Sequence, residues 1–245
     1  MHAYTDDIVE MYANLGALAF LIAACYMTYC WDHRLNPNLK FKTSSNWSYL
    51  VLTVLIIFVI WDILWNICSG AMSRFTSQAF LQSSFHFAWK PFFDAISTGV
   101  SEETFRYLSI VTLLECLKET KHQVTFVVII SAMIFGAFHL LNVMDKPFIA
   151  AISQVIMAFV SGLVWAIIYL YTGKLWAIMI IHGIYDYFMF LQPIGISTSN
   201  SIFIIYCVIE VIIPILLTIW MLTGKRYKVL QANARRIVLR QNFSF

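Results

Sequence analysis

Apolar residues run along this chain in long unbroken blocks rather than in the strict alternation of half-buried strands. A membrane-crossing helix needs about 20 predominantly apolar residues. The blocks at 11–30, 49–68, 96–116, 124–143, 148–171, 175–191 and 202–222 meet or approach that length. Residues 69–95 are mixed, with Arg74, Lys90 and Asp94 among aromatics, and predict an interfacial helix or a surface loop. The pattern predicts an all-α, polytopic helical membrane protein with about seven transmembrane helices, forming a single membrane domain over 1–245.

Breakers fall where this division needs them. Asn36-Pro37-Asn38 follows the first block, and Asp145-Lys146-Pro147 predicts a turn between the fourth and fifth. Thr172-Gly173-Lys174 predicts a tight turn before the sixth, which Gln192-Pro193 and Gly195 end. Pro214 predicts a kink in the seventh. No internal repeat is visible.

Composition sharpens the class. The chain is 60% hydrophobic and only 12% charged, and its mean hydropathy is +0.76. A soluble domain carries about 25% charged residues. The acidic start, with Asp6, Asp7 and Glu10, does not resemble a cleavable signal peptide. Cys25, Cys30, Cys68, Cys116 and Cys207 show no metal spacing and read as small buried hydrophobes.

Charge placement predicts an orientation. Lys225, Arg226, Lys228, Arg235, Arg236 and Arg240 crowd the tail at 224–245, which predicts a cytoplasmic C-terminus in contact with membrane lipids. No recognition fold accompanies this segment, so nucleic acid is not an expected partner. With seven spans, Arg34, Lys40, Lys42, Lys118, Lys121 and Lys174 also fall inside, and Arg74, Lys90 and Lys146 outside.

Three polar clusters interrupt the apolar blocks: Glu102-Glu103-Thr104-Phe105-Arg106, Phe135-Gly136-Ala137-Phe138-His139, and His182-Gly183-Ile184-Tyr185-Asp186. An ionisable side chain in a bilayer costs a few kcal/mol or more and marks a candidate site. Glu102 and Arg106 are i,i+4, Glu103 and Arg106 are i,i+3, and His182 and Asp186 are i,i+4, so each pair shares a helix face. A carboxylate beside an arginine is commonly a clamp, and a histidine on an apolar face commonly a packing residue. Here, however, Glu102, His139, His182 and Asp186 are all predicted about one to two turns from the outer ends of their spans. Matched depth favours one shared site. Its residue types suit a general base acting on water. No GxSxG is present and no cysteine lies in a cluster, which disfavours serine or cysteine nucleophiles. HExxH is absent too; His139, His182 and a glutamate would still make a zinc set, so no cofactor is expected but zinc stays open. Ser101 reads as a local hydrogen-bonding or helix-start residue.

The order Glu-Glu…Arg, Phe-x-x-x-His, His-x-x-x-Asp resembles the CPBP family, the CAAX-protease and bacteriocin-processing (Abi) intramembrane proteases. The resemblance covers about 95–190, the family's catalytic core. The spacing in the first motif departs from it: only Thr104 and Phe105 separate the second glutamate from Arg106, where the family usually has three residues. Aligning Phe105-Arg106 makes Ser101 and Glu102 the matched pair; aligning the glutamates displaces the arginine. The short spacing is similar to that of PrsW-type proteases, whose second motif ends in Glu rather than in a residue like His139. The resemblance implies that Glu102 or Glu103, with His139, activates water. It further implies that His182 and Asp186 hold the oxyanion and that Arg106 sets the glutamate. The implied substrate is a membrane-associated peptide or lipidated protein, and the implied role bacterial peptide-precursor processing or bacteriocin immunity. Eukaryotic members cut on the cytoplasmic side, whereas the charge count places this site nearer the outer face. The residues alone also fit a non-catalytic scaffold regulating a sensor kinase or cell-wall enzyme, or a small proton-coupled transporter. They leave the oligomeric state open.

Overall fold

The computed structural model describes residues 47–75, 89–144, 146–190 and 200–242. Among these are seven α-helices and no strand: α1 Trp47–Phe75, α2 Trp89–Cys116, α3 Gln123–Phe138, α4 Phe148–Thr172, α5 Leu175–Phe190, α6 Asn200–Met221 and α7 Gly224–Asn242. A 3-10 segment, His139–Met144, continues α3. The predicted span at 11–30 lies outside the described residues.

Among the described residues two helices are long and apolar enough to cross a membrane, Gln123–Met144 with 22 residues and Phe148–Thr172 with 25. Val208–Met221 and Gly224–Ile237 qualify only as a pair bent by 78°, and Tyr49–Leu64 and Leu175–Phe190 are shorter apolar helices. Large apolar side chains stand exposed along α1 (Ile56, Ile57, Ile60), α3 (Ile129, Met133) and α6 (Ile212, Leu216, Ile219). So much exposed apolar surface on consecutive turns suits lipid, not water. The chain is an integral membrane protein.

The expected surface segment at 69–95 is corrected at both ends. Residues 69–75 continue α1, and α2 begins at Trp89. Lys90 and Asp94 pair at 2.9 Å across one turn, so of the two alternatives, interfacial helix or surface loop, these charges sit on a helix. Pro91 falls in the first turn of the helix, where its missing N–H costs nothing. Trp89 stacks on Phe93 at 6.0 Å.

The helices form two compact units. The first holds α1 from Leu50, α2 as far as Thr104, and α5 from Met179. The second holds the rest of α2, α3, α4, the start of α5, α6 and α7. In this second unit α4 is the core: every residue from Leu163 to Tyr171 is buried. A helix that is apolar on all sides belongs inside a bundle. Gly162 lets the Ala132 face of α3 come close. Gly173, at φ 65°, ends α4 by returning its N–H to the Tyr169 carbonyl at 2.7 Å.

Two isolated polar residues resolve simply. Glu115 pairs with Lys118 at 2.7 Å, and this bond raises the Lys118 pKa above its ordinary value. Cys116 is exposed at the end of α2, against the expectation of a buried cysteine.

Candidate active site

Glu102 and Glu103 occupy adjacent positions on α2, and both carboxylates reach His182 on α5. The His182 Nδ1 lies 2.6 Å from Glu103 Oε1. A carboxylate accepts, so the ring donates Nδ1–H in a short charge-assisted bond. This turns Nε2 towards two further carboxylates, with Glu102 Oε2 and Asp186 Oδ2 each 3.7 Å away. These separations are too long for direct hydrogen bonds; at such a distance a water can bridge the groups. Burial distinguishes the two glutamates. The Glu103 side chain is 1% exposed and the Glu102 side chain 18%. One end of the imidazole is thus anchored in the interior and the other lies on the more open side.

The cluster depends on a close helix crossing. A Cβ on Gly99 would stand 2.8 Å from the Gly183 nitrogen and 2.9 Å from the Met179 carbonyl oxygen. Real Cβ atoms do not come that close to backbone. Gly99 lies three residues before Glu102, and Gly183 directly follows His182, so small residues bring the backbones together beside the reactive groups. Phe92 meets Tyr187 edge-on at 6.2 Å, a second contact between the same two helices.

Within the second unit, Arg106 is buried with its guanidinium carbon 3.9 Å from the Phe135 ring centroid. His139 meets the same ring edge-on at 5.0 Å. The His139 Nδ1 lies 3.0 Å from the Phe135 carbonyl oxygen. A carbonyl only accepts, so Nδ1 carries a proton in this bond. His139 opens the 3-10 segment, which is tied to α4 by Asn142 and Lys146, both donating to Gln154 Oε1 at 2.9 Å. A Cβ on Gly136 would meet the Phe159 Cβ at 2.9 Å, so this motif position also needs a small residue.

Sequence spacing anticipated the His182–Asp186 pair. It did not show that both glutamates approach His182, or that Arg106 lies on Phe135. The two glycines were the available signal for the first, because small residues beside ionisable ones mark close helix crossings. Ser101 is a local hydrogen-bonding residue rather than a helix start: it lies inside α2 and donates to the Thr98 carbonyl at 3.1 Å. The glutamate pair, not Ser101 with Glu102, therefore occupies the cluster. Among the described residues no group of three or more His, Cys, Asp or Glu side chains is arranged to hold a metal ion.

The helices and this cluster define a polytopic helical membrane protein with a buried carboxylate–imidazole centre. Residues 84–188 match the family model described as Rce1-like, type II CAAX prenyl endopeptidase Rce1-like. The matched segment contains all three motifs, and the CPBP resemblance holds over it. Comparison with curated proteins and with solved structures gives no match for this chain.

Proposed function

We propose that this protein is an intramembrane endopeptidase in which Glu102 takes a proton from water as that water attacks a peptide carbonyl. The observation carrying this reading is the difference between the glutamates: Glu103 is buried and holds His182, while Glu102 is more open and flanks Nε2. The water oxygen bonds to the carbonyl carbon, the C–N bond breaks, and the proton held by Glu102 passes to the leaving amine. His182 is a positioning and electrophilic group. Its Nε2, when protonated, donates to the oxyanion, and Asp186 keeps that edge of the ring polar. The motif resemblance alone assigns His139 and Arg106 a part in the reaction.

The Rce1-like match supports a substrate that is a membrane-associated peptide or a lipidated protein tail. The basic tail favours a bacterial cell membrane, with peptide-precursor maturation or bacteriocin immunity as the role. In this reading α1, α2, α3, α4, α5 and α6 all cross the membrane, and the C-terminus lies in the cytoplasm.

The test is cleavage by the purified chain in detergent, comparing a farnesylated CAAX peptide, the same peptide without lipid, and a bacterial pheromone precursor. Mass spectrometry reads the products, with and without a chelator. Cleavage of at least one peptide at a single bond, unaffected by chelator, is expected. Chelator-sensitive cleavage would replace the glutamate mechanism with a zinc one. Failure to cut any of the three would contradict the proposed substrate class.

A further inference from the structure

The last helix, α7, leaves the α6 axis at a built corner. Gly224 adopts φ 60°. Arg226 donates from Nε to the Trp220 carbonyl at 2.6 Å and places its guanidinium 4.3 Å from the Trp220 ring centroid. Thr223 donates to the same carbonyl at 3.0 Å. The chain turns by 78° here.

One face of α7 closes the end of the second unit. Leu230, Ala234 and Ile237 are fully buried, and Asn233 donates to the carbonyls of Leu170 and Tyr171 at 3.0 and 3.3 Å. Those carbonyls belong to the last turn of α4, which has no intrahelical donors for them. Thr125, in the first turn of α3, meets the Tyr227 hydroxyl at 3.4 Å. Helix α7 therefore lies across the end of the bundle where α3 starts and α4 stops.

The other face is cationic. Lys225, Lys228, Arg235 and Arg236 are exposed. At about 100° per residue they fall within a stripe about 100° wide, opposite the buried residues. No acidic residue occurs in 224–242. A helix lying across the end of a transmembrane bundle sits at headgroup depth, and a stripe of one charge there complements an anionic surface.

We propose that the exposed face of α7 binds the anionic lipid headgroups of the leaflet at that end of the bundle. Each Lys or Arg near such a surface contributes on the order of fivefold in affinity, so replacing three of them costs about 100-fold. The full chain in neutral detergent is titrated with short-chain phosphatidylglycerol or phosphatidylcholine, following the thermal unfolding midpoint and lipid retention in native mass spectrometry. Phosphatidylglycerol is expected to raise the midpoint and stay bound, less so at high salt, and phosphatidylcholine is not. The K228Q/R235Q/R236Q variant should lose that response while keeping the lipid-free midpoint, and R235K/R236K should retain it. Equal responses to the two lipids, or an unchanged response in the triple variant, would overturn the proposal. So would the same shift from inorganic phosphate alone, or from a DNA oligonucleotide in place of lipid. None of these readouts depends on proteolysis.

Discussion

At the scale of single residues, aromatic packing holds one of the charges in place. Arg106 lies buried on Phe135, and the same ring meets His139 edge-on. A desolvated cation over an aromatic face is worth about 2 kcal/mol. Phe135→Leu keeps most of the volume and removes the ring. It should destabilise the protein by about that amount, seen as a lower unfolding midpoint in detergent. An unchanged midpoint would mean that the stacking contributes nothing. The sequence showed the Phe-x-x-x-His spacing but not this use of it. Spacing tells which residues share a helix face, whereas the contact of Arg106 with Phe135 joins two helices. The His182–Asp186 pair was legible for the complementary reason, since both residues stand on one helix at i,i+4. Lys90 and Asp94 were legible only as far as a choice between two readings. Two charges among aromatics left an interfacial helix and a surface loop open, and their pairing across one turn belongs to the helix.

At the scale of elements, close crossings and sharp ends decide where the polar groups stand. Gly99→Ala must push α2 and α5 apart, because the new Cβ would meet backbone atoms rather than a movable side chain. Overpacking of this kind costs about 1–3 kcal/mol, and a displacement of about 1 Å at a reactive group costs about 100-fold in rate. Activity should therefore fall far more than stability, as judged by cleavage rate beside the unfolding midpoint. An equal fall in both would make Gly99 a packing residue only. Gly173→Ala tests a different element. At φ 65° an alanine costs about 1–2 kcal/mol, so the midpoint should drop while the cleavage rate of the folded protein is kept. The helix blocks themselves were legible from apolar length, since lipid demands long unbroken runs. The continuation of α3 as a 3-10 segment was not, because the residues that fix it, Asn142, Lys146 and Gln154, meet only after the chain has turned.

At the scale of the whole molecule, orientation follows from where the cations lie. In the second unit Lys118, Lys121 and Lys174 flank the same helix ends that α7 covers, and Lys146 lies at the opposite end. Under the proposed orientation, the positive-inside rule would put that end in the cytoplasm. Cys116 is exposed at the end of α2, next to Lys118. In a variant retaining only this cysteine, a membrane-impermeant maleimide should label inverted vesicles and leave intact cells unlabelled. The reverse pattern would contradict the proposed orientation.

The central claim is that Glu102 acts on water while Glu103 holds His182. Single-turnover cleavage by wild type, Glu102→Gln and Glu103→Gln, each confirmed folded by its unfolding midpoint, tests it most directly. Loss of a general base costs about 10²–10⁴-fold in rate, and that loss is expected for Glu102→Gln with little change in substrate affinity. Glu103→Gln should fall less, because the amide oxygen still accepts from the His182 ring. A Glu102→Gln variant that cleaves at the wild-type rate would contradict the account.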